Sequence, residues 1–578
     1  MSASLALRID DAPKAATPKS AGRFADLDPD KLRGGYYTPI DLTRWLAAWA
    51  VRHAEDQILE PSCGDGAFLV AVTDRLLSLG AGPADISGQV QGVEIVASAA
   101  AGARAALRAS LGVHAKGVVT AGDFFAWALA HAERRFDCVV GNPPFIRYQT
   151  FPEPSRTRAM DLMVREGLKP NKLTNIWVPF VVAAAASLRE GGRMALVLPA
   201  ELLQVTYAGQ LRSFLTERFE RIDVVACNEL FFDNAEQEVV LVLADGALRD
   251  RSVEHDCRVA LTEAATVNDV TLRRPADVIA KASPKVVEHG TEKWLKYFLT
   301  EKEITLMRKL RSQGVAVPLK QHASVDVGVV TGKNEFFVLT QSQVDELGIS
   351  DYTVPLVSRA VQMRGASLNR KEWQALAAQG DRVHLLYLSG VRTRALPARL
   401  RRYIEDAEAR GLHTGYKCSI RDPWYSVPSV WTPDAFFFRQ IYDFPRLVLN
   451  EAQATSTDTI HRLKAANPRR VISNIYTHLT AASAEIEGRS YGGGVLELEP
   501  TEAEHMLMPA KLNGALAISE ADKLIRAGRL TDVLQENDRL VLMEMGLSRS
   551  DCTMLRAIWT KMRDRRLARR RRPGRQAE

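Results

Sequence analysis

The sequence is poor in cysteine and has no apolar run long enough to cross a membrane. Its six cysteines are scattered and form no CxxC pair, a pattern typical of reduced thiols that argues against a disulfide framework or a structural metal. The longest apolar run, IWVPFVVAAAASL, is too short for a bilayer and predicts a buried helix. The first residues lack the apolar core of a signal peptide. We therefore expect a cytoplasmic protein with no bound metal and no membrane contact.

Length and charge set broad limits on the architecture and on the partner. A chain of 578 residues exceeds what one core usually holds, so two or three domains are expected. With 46% hydrophobic and 25% charged residues, the composition is that of a globular protein. The formal net charge of +7 permits a polyanionic partner without requiring one.

Short β-rich runs alternate with helical stretches from QILEPSCGDGAFL to EVVLVLADG. This alternation predicts an α/β fold with a mostly parallel sheet and helices on both faces, and the last run suits an added antiparallel strand. At the start, Thr38 or Asp41 is expected to cap a helix.

Beyond Gly246 the pattern indicates a mixed α+β domain and then helices. The predicted divisions are a flexible N-terminal tail at 1–33, the α/β domain at 34–246, a connector at 247–293, the mixed domain at 294–514 and a helical segment with a basic tail at 515–578.

Three consecutive predicted strands end in residues suited to holding one ligand. Gly64-x-Gly66 follows the first strand and lets backbone amides approach a ligand closely. Glu94 ends the second strand, where an acid can bind ribose hydroxyls, and Asp123 with Phe124 follows the third, where they suit an adenine ring. The run lacks the third glycine of a dinucleotide site and has no GK[ST], so a pyrophosphate ligand is not expected. The combination indicates S-adenosylmethionine.

The stretch GNPPF places a polar amide and an aromatic ring where a further strand leaves the sheet. Asn142 precedes a proline and is therefore held extended, while Pro143 and Pro144 stiffen the turn. The amide oxygen of Asn142 and a neighbouring carbonyl can grip a planar amine, and Phe145 offers a face for stacking on the ring that carries it. This arrangement indicates methyl transfer to an amine. A turn that was only structural would need neither the amide nor the aromatic ring.

Seven motifs, taken in their order along the chain, resemble those of the gamma-class, TaqI-like adenine-N6 DNA methyltransferases. The resemblance covers about residues 35–246 and implies a Rossmann-like methyltransferase domain dependent on S-adenosylmethionine, followed by a target-recognition domain that binds double-stranded DNA. The motifs are GGYYTP, EPSCGDGAFL, GVEI, GDFF, GNPPF, GGRMALVLPAELL and NELFFDNAEQEVV.

The resemblance also implies individual roles for residues at matching positions. The implied cofactor-binding residues are Thr38, Pro39, Glu60, Pro61, Gly64, Gly66, Glu94, Asp123, Phe124 and Asn142. The implied catalytic residues are Asn142, Pro143, Pro144 and Phe145. Phe145 and Phe231 are expected to line the target-base pocket. The doubled phenylalanine in NELFF leaves Phe232 as the alternative to Phe231.

The implied reaction is direct attack of the N6 of a flipped adenine on the cofactor methyl group, without a covalent enzyme intermediate. No cysteine stands beside a proline as cytosine-C5 chemistry would require. Cys138 lies within an apolar run, where an inert core thiol is expected. Catalysis is then expected to depend on orientation and on acceptors that stabilise charge developing at the amine.

The mixed domain is expected to choose the DNA sequence. VGVVTGKNEFFVLT and LNEAQATSTDTIHRL resemble segments of recognition domains in large gamma-class enzymes. Lys and Arg suit phosphates or guanine edges, and Asn can read adenine. The candidate DNA contacts are Lys333, Asn334, Arg421, Trp424 and Arg462. The basic tail RRLARRRRPGR can add nonspecific phosphate affinity or serve only as a solubilising end.

Three rival functions stay open: an RNA base-amine methyltransferase, a protein-glutamine methyltransferase and a noncatalytic DNA-binding subunit. The first two usually lack a large C-terminal domain and a leading YYTP motif, while Asn142 and Glu94 argue against the third. The stretch before Gly35 is too short for a nuclease domain. Any restriction endonuclease or phage-defence partner is therefore expected to be a separate protein, acting near the nucleoid of a bacterial or archaeal cell.

Overall fold

A nine-stranded sheet forms the centre of the first domain in the computed structural model. The structure describes residues 38–568, with gaps at 116, 147–149, 171–173, 230, 232–237, 251–254, 288–291, 389, 392–394 and 492–493. The predicted tail at 1–33 and most of the basic tail lie outside the described residues. The strands are β1 (Ile58–Glu60), β2 (Val90–Glu94), β3 (Val119–Ala121), β4 (Phe136–Gly141), β5 (Leu188–Pro199), β6 (Phe219–Cys227), β7 (Val239–Ala247), β8 (Arg258–Ala264) and β9 (Lys285–Val286).

The strand order β3-β2-β1-β4-β5-β7-β6-β8-β9 places the switch of direction between β1 and β4. Strands β1 to β5 are parallel, and β7 runs antiparallel to both β5 and β6. The predicted parallel sheet and the added antiparallel strand are thereby confirmed. In open α/β sheets, ligands bind outside the carboxyl ends of the strands at such a switch. The ends of β1 and β4 carry the glycine turn and the GNPPF stretch.

Helices cover both faces of this sheet because alternate strand residues point to opposite sides. Val139 packs into one apolar cluster with α5, α7 and α9, while Cys138 and Val140 pack into another with α1, α2 and α4. The predicted buried helix is confirmed as α7, in which nine residues are buried. The helices are α1 (Ile40–Ala50), α2 (Ala67–Ser78), α3 (Pro83–Gln89), α4 (Ala97–Leu111), α5 (Phe124–Ala130), α6 (Ser155–Arg165), α7 (Trp177–Ala186), α8 (Glu201–Gln204), α9 (Gly209–Arg218), α10 (Asn268–Thr271) and α11 (Pro275–Ile279).

The sheet continues past the predicted end of the domain at residue 246. β8 pairs in parallel with β6 over seven residue pairs, and β9 pairs with β8. The predicted connector at 247–293 therefore supplies two strands of the first sheet, which corrects its assignment as a linker. Its polar composition misled the prediction because β8 gains its burial only from packing in this sheet.

The second domain is mixed α+β, as predicted, and its described residues form four small sheets. Their strand orders are β10-β23, β11-β20-β16-β18-β14, β12-β15-β13-β19 and β17-β22-β21. The strands are β10 (Ala316–Pro318), β11 (Ala323–Asp326), β12 (Val338–Leu339), β13 (Thr353–Val357), β14 (Ser367–Leu368), β15 (His384–Leu386), β16 (Ala435–Phe438), β17 (Gln440–Ile441), β18 (Leu447–Asn450), β19 (Thr455–Ser456), β20 (Ile460–Ala465), β21 (Arg489–Tyr491), β22 (Val495–Glu497) and β23 (Leu507–Pro509). The helices up to residue 514 are α12 (Glu301–Ser312), α13 (Asn334–Phe337), α14 (Gln341–Leu347), α15 (Arg370–Ala378), α16 (Ala398–Ala409), α17 (Tyr416–Ser419), α18 (Pro468–Ile475), α19 (His478–Glu487) and α20 (Pro500–His505).

The predicted helical end is confirmed as α21 (Ile518–Arg526), α22 (Leu530–Asn537) and α23 (Arg549–Ala568). Helix α23 packs along α19 through a buried ion pair between Arg566 and Glu485, 2.6 Å apart. The preceding residue, Arg565, pairs with Glu263 of β8 at 2.8 Å. The last described helix therefore contacts both domains.

The two domains are also joined by two hydrogen bonds between one side-chain amide and one residue's backbone. The Gln204 side chain of α8 donates to the Ser490 carbonyl at 2.9 Å and accepts from the Ser490 N–H at 2.8 Å, with all the atoms buried. One apolar cluster includes residues of both domains, among them Phe124, Trp294 and Trp559. The nine-stranded sheet and the second domain therefore share a core.

Candidate active site

The GNPPF stretch leaves the sheet at the end of β4, beside the turn that follows β1. The Asn142 side-chain nitrogen donates to the Thr38 hydroxyl at 3.2 Å. The Ser62 hydroxyl donates to the Asn142 carbonyl at 3.3 Å. Three chain segments far apart in sequence therefore meet at Asn142.

Thr38 lies in this site and does not cap the first helix. Helix α1 begins at Ile40, and its N-cap position is Pro39, which makes no side-chain capping bond. The predicted cap by Thr38 or Asp41 is therefore wrong. Thr38 is 8% exposed, and its hydroxyl faces the Asn142 amide.

The glycine turn is bound directly to the acid at the end of β2. The Gly64 N–H donates to one Glu94 carboxylate oxygen at 2.9 Å, and the Val96 N–H donates to the other at 2.8 Å. Gly66 has a φ of +93°, and a Cβ there would lie 3.0 Å from Ala103. The turn therefore needs glycine for conformation and for space.

Glu60 lies beneath the same turn and is almost fully buried. Burial raises its pKa well above the ordinary value, and the nearby carboxylates of Asp65 and Glu94 raise it further. Its Oε2 has no hydrogen-bond partner among the described residues. Three acids thus lie close together at this turn, which suits a positively charged ligand.

The third strand end forms a flat aromatic wall. Phe124 stacks on Phe180 of α7 with ring centroids 5.3 Å apart and planes 16° apart. The Asp123 carboxylate accepts from the Phe125 and Ala126 N–H groups and pairs with Arg158 at 3.1 Å. Asp123 therefore begins α5 and fixes the position of Phe124.

Phe180 is a site residue that the sequence reasoning missed. It lines a narrow crevice at the end of β1 and β4, formed by Pro61, Ser62, Gly141, Pro143, Phe180, Ala184 and Leu196. In the sequence, Phe180 belongs to an apolar run that predicts only a core helix. The one available signal was an aromatic following a polar Thr-Asn pair in TNIWVPF, which is weak without the fold.

The two predicted target-base aromatics, Phe145 and Phe231, pack in the same apolar cluster of the first domain. Phe145 is half-buried and contacts both apolar clusters of the first domain. Phe231 is 4% exposed and belongs to the second of these clusters. Phe232 lies outside the described residues, so the choice between the two phenylalanines stays a prediction.

Both arginines proposed to contact DNA donate to backbone carbonyls of the second domain. Arg462 is 2% exposed, and its three nitrogens donate to the Val327 carbonyl, the Ser429 carbonyl and Asp326. Arg421 donates to two carbonyls of the loop before α13. Both guanidinium groups therefore stabilise the fold of the second domain.

The other three candidates lie nearer the surface. Asn334 is exposed, Lys333 is half-buried, and the Asn334 side chain accepts from the Thr331 hydroxyl at 2.5 Å. The Trp424 ring packs 4.7 Å from Phe336, and its indole N–H donates to Glu408 at 2.8 Å. Of these, Asn334 and Lys333 retain access to a ligand.

Other kinds of chemistry find little support in the part of the chain that the structure describes. Cys138 is fully buried, and burial raises its pKa, which disfavours a nucleophilic thiolate. Within 38–568, outside the gaps, no cluster of His, Cys, Asp and Glu could hold a metal ion. No helix among the described residues is both long and apolar enough to span a membrane.

The sheet order, the glycine turn bound to an acid and the GNPPF stretch at the switch point define a Rossmann-like methyltransferase fold. A family model described as N-6 DNA Methylase matches residues 22–253. A second model, the C-terminal domain of Type II methyltransferase M.Eco57I, matches residues 291–542. Together the two models match most of the chain, and its two halves resemble those of N6-adenine DNA methyltransferases.

Individual relatives are similar in sequence to this chain over about two thirds of its length. Type II methyltransferase M.AccI of Acinetobacter calcoaceticus is 21% identical over 390 residues, 65% of this chain and 69% of that protein. Type II methyltransferase M.PaeR7I of Pseudomonas aeruginosa is 27% identical over 440 residues, 69% and 71% of the two chains. Among solved structures, the Type IIL restriction-modification enzyme MmeI in complex with DNA aligns with a TM-score of 0.54 at 12% identity, over 90% of this chain and 75% of that one. The likeness to MmeI shows a shared fold.

Proposed function

We propose that this chain is a site-specific enzyme that methylates the N6 amine of adenine in duplex DNA, using S-adenosylmethionine. The observation that carries the proposal is the position of Asn142. It follows β4 at the switch point, is bound to Thr38 at 3.2 Å and lies beside the turn that joins Gly64 to Glu94. These contacts support a methyl-donor site beside an amide that binds the target amine.

The residues at the strand ends fit S-adenosylmethionine. The cofactor carries an ammonium and a sulfonium, and Glu60, Asp65 and Glu94 provide the negative surroundings that favour cations. The unpartnered Glu60 Oε2 is a ready acceptor for an N–H donor. Both Glu94 oxygens keep lone pairs for ribose hydroxyls, because a carboxylate accepts about four hydrogen bonds. When bound, the cofactor supplies an electrophilic methyl group.

The protein side chains then orient the amine. The Asn142 amide oxygen and the Pro143 carbonyl accept hydrogen bonds from N6, which directs its lone pair to the methyl donor and stabilises charge developing on nitrogen. Phe145 stacks on the flipped base, at an unstacking cost to the duplex of a few kcal/mol. Phe231, or Phe232 in its place, is proposed as the second aromatic of the target-base pocket.

The biological setting follows from the named relatives. M.AccI and M.PaeR7I are bacterial Type II methyltransferases, which supports a role as the modification component of a restriction-modification system. We propose gamma-class membership, a separate restriction endonuclease or defence partner, and action at the bacterial chromosome in the cytoplasm. The order of the motifs, with YYTP first and the second domain last, favours this over the RNA and protein-glutamine alternatives.

The test is methylation-sensitive long-read sequencing of DNA from a methylation-deficient host. The host expresses the parent, Asn142→Ala, or Asn513→Ala as a matched control at an exposed asparagine of the second domain. We expect N6-methyladenine in one defined motif with the parent and the control, and none with Asn142→Ala. Unmodified DNA with all three, together with labelled methyl transfer to RNA or to a glutamine peptide, would overturn the proposal.

A further inference from the structure

Two large apolar side chains stand out from the second domain on one helical turn. Tyr416 is 74% exposed and Ile420 is 64% exposed. They are four residues apart, across α17 and its C-cap, so they share one face of the turn. The two side chains therefore form a small exposed apolar surface on this turn.

A neighbouring loop completes this surface. Gly332 has a φ of +84°, and a Cβ there would lie 2.9 Å from the Lys417 Cβ, so the loop presses directly on α17. Lys333 approaches the same turn, since its Cε lies 3.4 Å from the position of a Cβ at Gly415. We call Lys333, Asn334, Tyr416, Lys417 and Ile420 the wedge surface.

The wedge surface is held rigidly from behind. Arg421 donates to the Val330 carbonyl at 2.7 Å and to the Thr331 carbonyl at 2.8 Å, which ties the loop to the segment after α17. Cys418 is buried and its sulfur contacts the Thr331 carbonyl at 4.0 Å. The surface is therefore preorganised, and binding through it needs little further ordering.

Charge on the wedge surface favours a polyanion. The Lys417 ammonium lies 5.7 Å from the centre of the Tyr416 ring, and Lys333 flanks the same turn. The nearest acid on the loop, Glu335, is paired with Arg410 at 3.6 Å. An apolar pair flanked by lysines matches how proteins insert a wedge between bases while cations bind the phosphates on either side.

We propose that the wedge surface binds duplex DNA, with Lys333 and Lys417 on phosphates and Tyr416 and Ile420 inserted at a base step. This inference rests on the proposed function, because it takes DNA as the substrate. It assigns a mechanical role to the second domain: the wedge distorts the duplex while the first domain takes up the flipped adenine. Arg421 is the positioning residue that holds the loop against the wedge.

The first experiment measures phosphate contacts without methyl transfer. In the Asn142→Ala protein, binding to a mixed-sequence duplex is followed by fluorescence anisotropy against salt. Adding Lys333→Ala and Lys417→Ala is expected to reduce the slope of log affinity against log salt by about 2, since each phosphate contact contributes about 0.9. Lys320→Ala, at an exposed lysine before β11, is the matched control and should leave the slope unchanged.

The second experiment measures the wedge. Plasmid is relaxed by topoisomerase in the presence of protein, and unwinding is read as a change in linking number. The Asn142→Ala protein should unwind the plasmid, and adding Tyr416→Ala with Ile420→Ala should abolish the change and lower duplex affinity about tenfold or more. Leu272→Ala, a control at another exposed apolar residue, should unwind normally. All these side chains are exposed, and thermal melting checks that each variant folds.

The outcomes separate this inference from the proposed function. Equal unwinding by the parent and the double wedge variant, or an unchanged salt slope, would overturn the wedge surface even if the parent methylates DNA. Loss of unwinding with a parent that never methylates adenine would keep the wedge surface and overturn the proposed reaction. A parent that binds no duplex at all would overturn both.

Discussion

Asn142 donates its side-chain amide to the hydroxyl of Thr38, 3.2 Å away and 104 residues earlier in the chain. With the amide nitrogen bonded to Thr38, the amide oxygen points away from that hydroxyl. Thr38 lies two residues before α1 begins, whereas Asn142 directly follows the last residue of β4. The first helix and the fourth strand therefore orient the amine acceptor together.

Replacing Thr38 by valine should slow methyl transfer through this orientation. Thr38→Val keeps the volume but removes the acceptor, and a hydrogen bond of this kind is worth about 0.5–1.5 kcal/mol, so kcat should fall by up to about tenfold. Thr38→Ser keeps the hydroxyl and should retain most of the activity. Single-turnover rates with saturating cofactor check this, and equal rates for all three proteins would contradict the orienting role.

Replacing Glu94 by glutamine should weaken cofactor binding. One of the two carboxylate oxygens that accept the Gly64 and Val96 N–H groups would become an NH₂ facing a donor. A buried donor left unsatisfied costs about 1–3 kcal/mol, so affinity for S-adenosylmethionine should fall about tenfold to a hundredfold. Isothermal titration checks this. Glu229→Gln, at an exposed acid beyond β6, should bind normally.

Glu60 should make the stability of the cofactor-free protein depend on pH. Its folded-state pKa is raised, mainly by burial, above the ordinary value of 4.5. A carboxyl with a raised folded pKa contributes stability that is present below the unfolded pKa and is lost as pH rises through the folded pKa. Glu60→Gln should therefore raise Tm at neutral pH, by an amount that shrinks as pH falls below the ordinary value, while it weakens cofactor binding. A Tm difference independent of pH would contradict this origin.

Phe145→Ala should weaken stacking on the target base by about 1–3 kcal/mol, as for other base–aromatic contacts. Phe145→Tyr keeps the ring and should remain active. An adenine placed opposite an abasic site is already unpaired, so the comparison of KM and kcat on this duplex isolates stacking from flipping. If Phe145→Ala lost no activity on either duplex, the stacking role would be refuted.

Gln204→Ala should loosen the second domain from the first. The substitution leaves the buried N–H and carbonyl of Ser490 without the partners that Gln204 now supplies. The expected cost is about 1–3 kcal/mol, with reduced methylation of duplex DNA at unchanged cofactor affinity. Gln204→Glu keeps the acceptor but buries a carboxylate oxygen against the Ser490 carbonyl, so it should cost at least as much as Gln204→Ala. Equal loss of cofactor binding would indicate damage to the first domain instead.

Local signals predicted the parallel sheet and the residues at its strand ends. The glycine turn at Gly64, the acid Glu94 and the stiff Asn142-Pro143 bond are readable because each requires a particular residue type at one place. The structure brings them together because the carboxyl ends of β1, β2 and β4 lie along one edge.

Properties that depend on distant packing could not be read from the sequence. Arg462 looked like a DNA contact, but its burial follows from the pairing of β20 with β11 and β16. Phe180 is indistinguishable by spacing from its core neighbours in α7 until the sheet places it beside Phe124. The sequence did not predict the strands after residue 246, because the segment that contains β8 has a polar composition. Its place in the sheet depends on pairing with β6.

The apolar cluster that unites Phe124, Trp294 and Trp559 has a consequence for how sequence preference evolves in this lineage. Because this cluster joins parts of both halves, heat should unfold the residues that form it in a single transition. Exchanging the second half between relatives would break that cluster. We expect new DNA-sequence preferences to arise by single substitutions in exposed loops. These loops are supported by the core but are not part of it.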